Sequence, residues 1–214
     1  MTYESFGRMN QKRRTRAALK AAAAEFVRRG ETPSIGMVAE AALVSKSTAY
    51  RYFASQEALV AEVLLDELVR PDLEAVDAAS RMPGSAASRL DAVVRADHAL
   101  VVKHEAAFRT ALRALLAAGT GDPSDVPRRA GNRLRYFAEA LAPVQELLGA
   151  ERLERVVAAL SMCAGIESLI VAEDICGLRP AVAEAVKRWA ARVLLQAALE
   201  ESAAEGKISA HAHS

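Results

Sequence analysis

The sequence predicts an all-α protein. Three observations carry this: alanine, leucine, glutamate and arginine dominate the composition, β-branched and aromatic residues are few, and apolar positions recur with helical spacing along the 214-residue chain. Apolar residues make up 52% and charged residues 26%, as in a folded chain able to bury a core. About nine helices are expected, with no strand.

The first runs from near Arg14 to Arg29, with Ala18, Leu19, Ala22, Ala23 and Phe26 inward and Gly30 as its stop. Ser34 can cap a second helix carrying Ile35, Val38, Ala39 and Ala42. Ser45 can cap a third, very short helix ending near Phe53. A fourth starts near Ser55 or Gln56 and meets Pro71, which lacks the N–H a helix interior needs and should bend or end it. Ser88 opens a fifth helix to about Lys103, and Glu105–Ala118 reads as a sixth. "GTGDPSDVPRRAGN" is the longest loop signal. A seventh helix covers about 133–148 with a break at Pro143. An eighth, over 151–176, is apolar on a wide arc. Gly177 caps it, and Pro180 begins a ninth with the stripe Val182, Val186, Trp189, Val193 and Ala197.

Charge is unevenly placed. Residues 1–60 hold ten Lys or Arg against five Asp or Glu, whereas the remainder holds 18 against 22. A basic N-terminal quarter on an acidic body points to an anionic partner for that quarter. No secretory signal opens the chain, and the longest uncharged stretch in the apolar C-terminal part, 156–166, is far short of the ~20 residues that span a bilayer. Cys163 and Cys176, in one expected helix, would stand ~20 Å apart, which excludes an intrachain disulfide. A cytoplasmic location, with both thiols as small core residues, is expected.

Three of the ten aromatic residues crowd into "VSKSTAYRYFAS". Helical spacing turns Val44, Ala49 and Phe53 inward. It leaves Lys46 with Tyr50, Ser47 with Arg51, and Thr48 with Tyr52 in outward pairs. Hydroxyls and a lysine at a helix start can reach base edges in a major groove, and tyrosine hydroxyls behind them can donate to phosphates. Lys46 and Ser47 are therefore the candidate base readers, and Tyr50 and Tyr52 the phosphate contacts.

"IGMVAEAALVSKSTAYRYFASQEAL" resembles the DNA-binding domain of TetR/AcrR-type transcriptional regulators. The features are Ala-Ala-x-Val-Ser closing the second helix, Thr-x-Tyr-x-x-Phe in the third, and Ser-x-Glu-Ala-Leu opening the fourth, within a match over residues 14–64. The last two helices resemble those with which the family pairs subunits. The sequence departs at Leu43, where the family's turn usually has glycine and where the turn is expected to form without a positive φ. It departs also at Glu31 and at Gln56, where many members have a phosphate-binding lysine.

The resemblance implies a helix-turn-helix DNA-binding domain over 1–54, an effector-binding and dimerisation domain over 55–204, and a disordered polar tail over 205–214. It implies a homodimeric regulator, a repressor released from a near-palindromic operator by a small apolar or amphipathic effector. A corepressor-dependent regulator and a helical interaction module without sequence-specific DNA binding are the alternatives. Expected DNA contacts are Thr15, Ser45, Lys46, Ser47, Thr48, Tyr50, Arg51, Tyr52 and Gln56. His98, Phe108, Arg109, Leu112, Tyr136 and Met162 are candidate effector contacts, and Val157, Leu160, Ala164, Val186, Trp189 and Val193 candidate dimer contacts. Neither a metal nor a cofactor is expected. "HEAAF" lacks the second His of a zinc-protease helix, and there is no Gly-x-Ser-x-Gly, Walker loop or close cysteine pair, so an enzyme is not expected either.

Overall fold

Ser34, Ser45, Ser55 and Ser85 each accept a hydrogen bond from the backbone N–H three residues on, at 3.1–3.2 Å, and each marks the start of a helix. This is the usual way to satisfy the donors a helix N-terminus leaves free. The computed structural model describes residues 3–29, 31–118 and 132–211, the side chains of 3–9, 115, 117, 118 and 206–211 excepted. Gly30 and nearly all of the glycine-rich loop expected after Ala118 fall outside them.

Twelve α-helical segments and no strand occur among the described residues. They are α1 (Tyr3–Arg28), α2 (Ile35–Ala41), α3 (Lys46–Tyr52), α4 (Gln56–Leu64), α5 (Leu73–Arg81), α6 (Ala86–Lys103), α7 (Glu105–Ala118), α8 (Asn132–Leu141), α9 (Gln145–Leu148), α10 (Ala150–Met162), α11 (Gly165–Ile170) and α12 (Pro180–His211). The all-α class is as expected. The extra segments come from breaks inside three of the expected helices.

Two compact units are present. One takes the described residues up to Pro71 together with α7 from Ala106; the other takes Asp72–Glu105 and α8–α12. In the first, Leu19, Ala23 and Ala24 of α1, Ile35, Val38 and Ala39 of α2, Ala49 and Phe53 at α3, and Leu59 and Val63 of α4 form one buried cluster. The boundary expected at residue 54 therefore cuts through a core that α4 completes. Helix α1 starts eleven residues earlier than expected, and Ala18 faces solvent while Ala24 takes the buried place.

After α4 the helix widens into a π-turn over Leu65–Val69, where the Arg70 N–H bonds to the Leu65 carbonyl, five residues back, and a 3-10 turn spans Arg70–Asp72. Pro71 is the cause we assign: its ring has no N–H and crowds the carbonyl four residues earlier.

The second unit packs α5 and α8 on α6, α12 along α6, and α10 on α8 and α12. Phe137, Leu90, Leu141, Leu148, Leu160 and Leu169 are among its fully buried side chains. The expected helix over 151–176 is broken at Cys163–Ala164. Gly165 adopts φ +76°, its N–H donates to Asp97 Oδ2 at 2.9 Å, and Arg133 Nη1 donates to the Ala164 and Ser161 carbonyls at 2.6 and 3.3 Å. Side chains from α6 and α8 thus take the backbone groups that a continuous helix would have used internally. The two cysteines consequently sit in different elements, both unpaired. Cys163 is half-buried and Cys176 exposed, so the expectation of two core thiols is corrected for Cys176.

Gly177 stops the second segment with φ +63°, and Pro180 opens α12, as expected. That last helix runs to His211, so the tail expected from 205 begins inside a helix. Ser85, three residues before the expected Ser88, caps α6.

Candidate DNA-binding surface

Helix α3 is short enough for one cap to organise it. Ser45 Oγ accepts from the Thr48 N–H at 3.1 Å, donates to Thr48 Oγ1 at 2.9 Å, and lies 3.0 Å from Ser47 Oγ. Ala49 and Phe53 are buried and Val44 packs on the same cluster. The face opposite them is fixed by periodicity: Ser45, Lys46, Ser47, Tyr50 and Arg51 are exposed, Tyr50 to 57%. Thr48 is half-buried, as are Thr15 on α1 and Gln56 at the start of α4. Tyr52 also packs part of its ring against the core, which leaves it less free than Tyr50.

The turn before α3 forms differently from the sequence expectation. Leu43 has φ +55° and is 93% exposed. Its N–H bonds to the Glu40 carbonyl at 3.0 Å, and the Val44 N–H to the Ala39 carbonyl at 2.9 Å. This paired closure of a helix C-terminus requires a left-handed residue at that place, ordinarily glycine. Leucine accepts the conformation because its side chain points into solvent and meets nothing.

Arg16, one of the ten cations within residues 1–60, is engaged inside the first unit. Its guanidinium stacks over Phe53 at 4.6 Å, donates to the Tyr52 carbonyl at 3.1 Å and pairs with Glu62 at 2.5 Å. Lys20 pairs with Glu62 at 3.1 Å and also with Asp66, and Arg28 with Glu67 at 2.6 Å. A ladder of charges thus joins α1 to α4 and the turn that follows. No local signal marks these pairs, whose members are 39 to 46 residues apart.

The candidate effector residues are drawn from both units. His98 and Tyr136 are buried in the second unit, and Phe108, Arg109 and Leu112 belong to α7 in the first. Met162 is 74% exposed at the end of α10. Around His98 lies a buried polar trio. Lys187 Nζ stands 3.4 Å from His98 Nδ1, and Asp97 accepts from Gly165. Burial pushes the Asp97 carboxyl up. Burial, and then the Lys187 ammonium, hold the His98 imidazole below its ordinary value; burial also lowers Lys187.

The candidate dimer residues divide. Val157, Leu160 and Ala164 are buried within the protomer, so they are core residues and offer no surface to a second subunit. Val186, Trp189 and Val193 of α12 are exposed to between 41% and 57%. Among the described residues, no group of three His, Cys, Asp or Glu side chains is placed to hold a metal ion, and no single helix is long and apolar enough to cross a membrane.

A Ser-capped recognition helix, a tight turn and two supporting helices with an outward face of hydroxyls, cations and a tyrosine define a helix-turn-helix DNA-binding protein. Residues 18–63 match the family model of bacterial regulatory proteins, tetR family. The fold is similar to a crystal structure of a TetR transcriptional regulator from Rhodococcus sp. RHA1, with a TM-score of 0.54 at 20% identity, over 86% of this chain and 97% of that one. No curated protein matches the chain. Residues 18–63 therefore carry the helix-turn-helix domain of the tetR family of bacterial regulatory proteins, and the whole chain shares its all-helical fold with a TetR transcriptional regulator.

Proposed function

We propose that the chain is a homodimeric, ligand-responsive repressor that binds a near-palindromic operator through α3. The observation that carries this reading is the outward face of α3, where Lys46, Ser47, Tyr50 and Arg51 stand exposed on a helix held by the buried Ala49 and Phe53. Lys46 and Ser47 read base edges at the helix start, and Tyr50 donates to phosphate and fixes register. Thr15, Ser45, Thr48, Tyr52 and Gln56 complete the contact surface.

The exposed stripe Val182, Val186, Trp189 and Val193 supports pairing with a second copy. Apolar residues in one row of a long helix are costly to leave in water, and a two-fold axis lets the same row cover itself. The paired heads would read half-sites ~34–36 Å apart. A small apolar or amphipathic effector acts on the C-terminal helices, with Pro71 as the point where the chain articulates after α4. The effector releases DNA by favouring one of two arrangements, which requires different affinities for them. Family members are non-enzymatic transcription factors, and the protein acts in the cytoplasm, where its operator is accessible.

Selection of random duplex DNA by the purified protein, followed by salt titration of the winning site, tests this. A two-fold symmetric motif bound far more tightly than random DNA supports the regulator. Salt-sensitive binding with no motif, with or without candidate small molecules, overturns it in favour of an interaction module.

A further inference from the structure

Gly36 occupies the second position of α2, where alanine would be intrinsically preferred. Its neighbour is Lys46. A methyl group built on Gly36 would stand 2.9 Å from Lys46 Cε, 3.4 Å from Nζ and 3.7 Å from Cδ. The outer half of the lysine stem therefore lies against the bare backbone of α2's first turn. Any side chain at position 36 would have to push it aside. Neither α2 nor α3 has an acidic residue in its first turn, so no carboxylate there draws the ammonium to this place. The fit is one of shape, a lysine methylene against a residue that has no Cβ.

We propose that Gly36 is a positioning residue for DNA recognition: its missing side chain seats Lys46 across the start of α2 and so sets where the ammonium meets DNA. The inference rests on the DNA-binding reading of α3. An exposed lysine at the first position of a helix has many rotamers available, and a seat that narrows them lowers the ordering cost on binding. Gly36 acts without touching DNA. Its influence passes wholly through Lys46, whether that ammonium reaches a base edge or a phosphate.

Gly36→Ala, Lys46→Ala and the double variant, compared with the wild type on the operator recovered by random-duplex selection, test this. Gly36→Ala is expected to melt at the same temperature or higher, because alanine favours helix, while binding the operator roughly three- to tenfold more weakly. In the Lys46→Ala background the same change should have no further effect, since contacting residues couple and unconnected ones add. In the free protein a nuclear Overhauser contact between the Gly36 α-protons and the Lys46 ε-methylene is expected. Unchanged affinity in Gly36→Ala overturns the proposal. So does a loss equally large when Lys46 is already alanine, which would place the effect in the α2 backbone. A wild-type chain that selects no motif overturns the DNA-binding reading and this inference together, whereas the other two results overturn this inference alone.

Discussion

The Arg16 guanidinium stacks over the Phe53 ring at 4.6 Å while donating to the neighbouring Tyr52 carbonyl at 3.1 Å. One side chain of α1 thus closes the C-terminal end of α3, where helix carbonyls lack partners of their own. A lysine has neither the planar face nor the fork to do both. Arg16→Lys is expected to lower stability by about 1 kcal/mol, chiefly through the carbonyl bond and the stacking, because half-exposed ion pairs contribute little. It should weaken DNA binding to all sequences alike. Urea unfolding with operator titration checks both, and an unchanged unfolding midpoint would show that Arg16 does not clamp α3.

Tyr50→Phe removes the hydroxyl proposed to donate to phosphate and keeps the ring, so binding should weaken uniformly across sequences. Lys46→Ala should in addition relax preference at one base pair, by about 1–3 kcal/mol for a well-formed base contact. A change of preferred sequence in Tyr50→Phe would reverse the division of roles between the two residues.

Leu43 holds a left-handed backbone in full exposure. Strain of about 1–2 kcal/mol is relieved by glycine, against about 0.5–1 kcal/mol for its greater freedom when unfolded. Leu43→Gly should therefore stabilise the protein by roughly 0.5–1 kcal/mol. Its denaturation midpoint, compared with the wild type, reads this directly.

Gly165 also has a positive φ, but there a Cβ would stand 2.3 Å from Arg133 Nη1. Alanine would add backbone strain and dislodge the guanidinium from the Ala164 and Ser161 carbonyls. Gly165→Ala is expected to cost about 2–4 kcal/mol, combining left-handed strain with a lost charged hydrogen bond. A variant as stable as the wild type would mean that Arg133 finds equivalent partners.

His98 titrates abnormally because it is buried beside Lys187, with Asp97 and Glu184 as the nearby acids and the Pro180 carbonyl as a backbone partner. Its folded value is depressed. The unfolded chain takes up the proton near pH 6.5, ahead of the folded one. Stability is thus complete above that pH and declines as pH falls through the depressed folded value. Asp97, whose carboxyl is raised by burial, opposes this as pH falls through its own raised value, because the folded chain binds that proton more readily than the unfolded one. The wild type should lose more thermal stability between pH 7 and pH 5 than His98→Gln. Identical pH profiles would rule out His98 as the group responsible.

The α3 surface was legible because a seven-residue helix has one solution to its own periodicity. Once Ala49 and Phe53 face inward, Lys46, Ser47, Tyr50 and Arg51 must face outward. The serine caps at 34, 45 and 55 were legible for the same reason, since cap and donor lie within one turn. Leu43 was misread because its conformation follows from the closing hydrogen bonds of α2 and not from its own preference. Val157, Leu160 and Ala164 were misassigned because an apolar stripe looks the same whether α8 and α12 or a second subunit covers it.

The sequence by itself determined the helical class, the order of the helices and the outward chemistry of α3, because these depend on spacings of a few residues. Tertiary structure alone decided that Arg16 joins α1 to α3 and α4, that Arg133 and Asp97 break the helix before Gly165, and that Lys46 rests on Gly36. Each of these depends on groups brought together from distant turns or from neighbouring helices. Side-chain reach and backbone hydrogen-bond demand, which no local pattern encodes, select them.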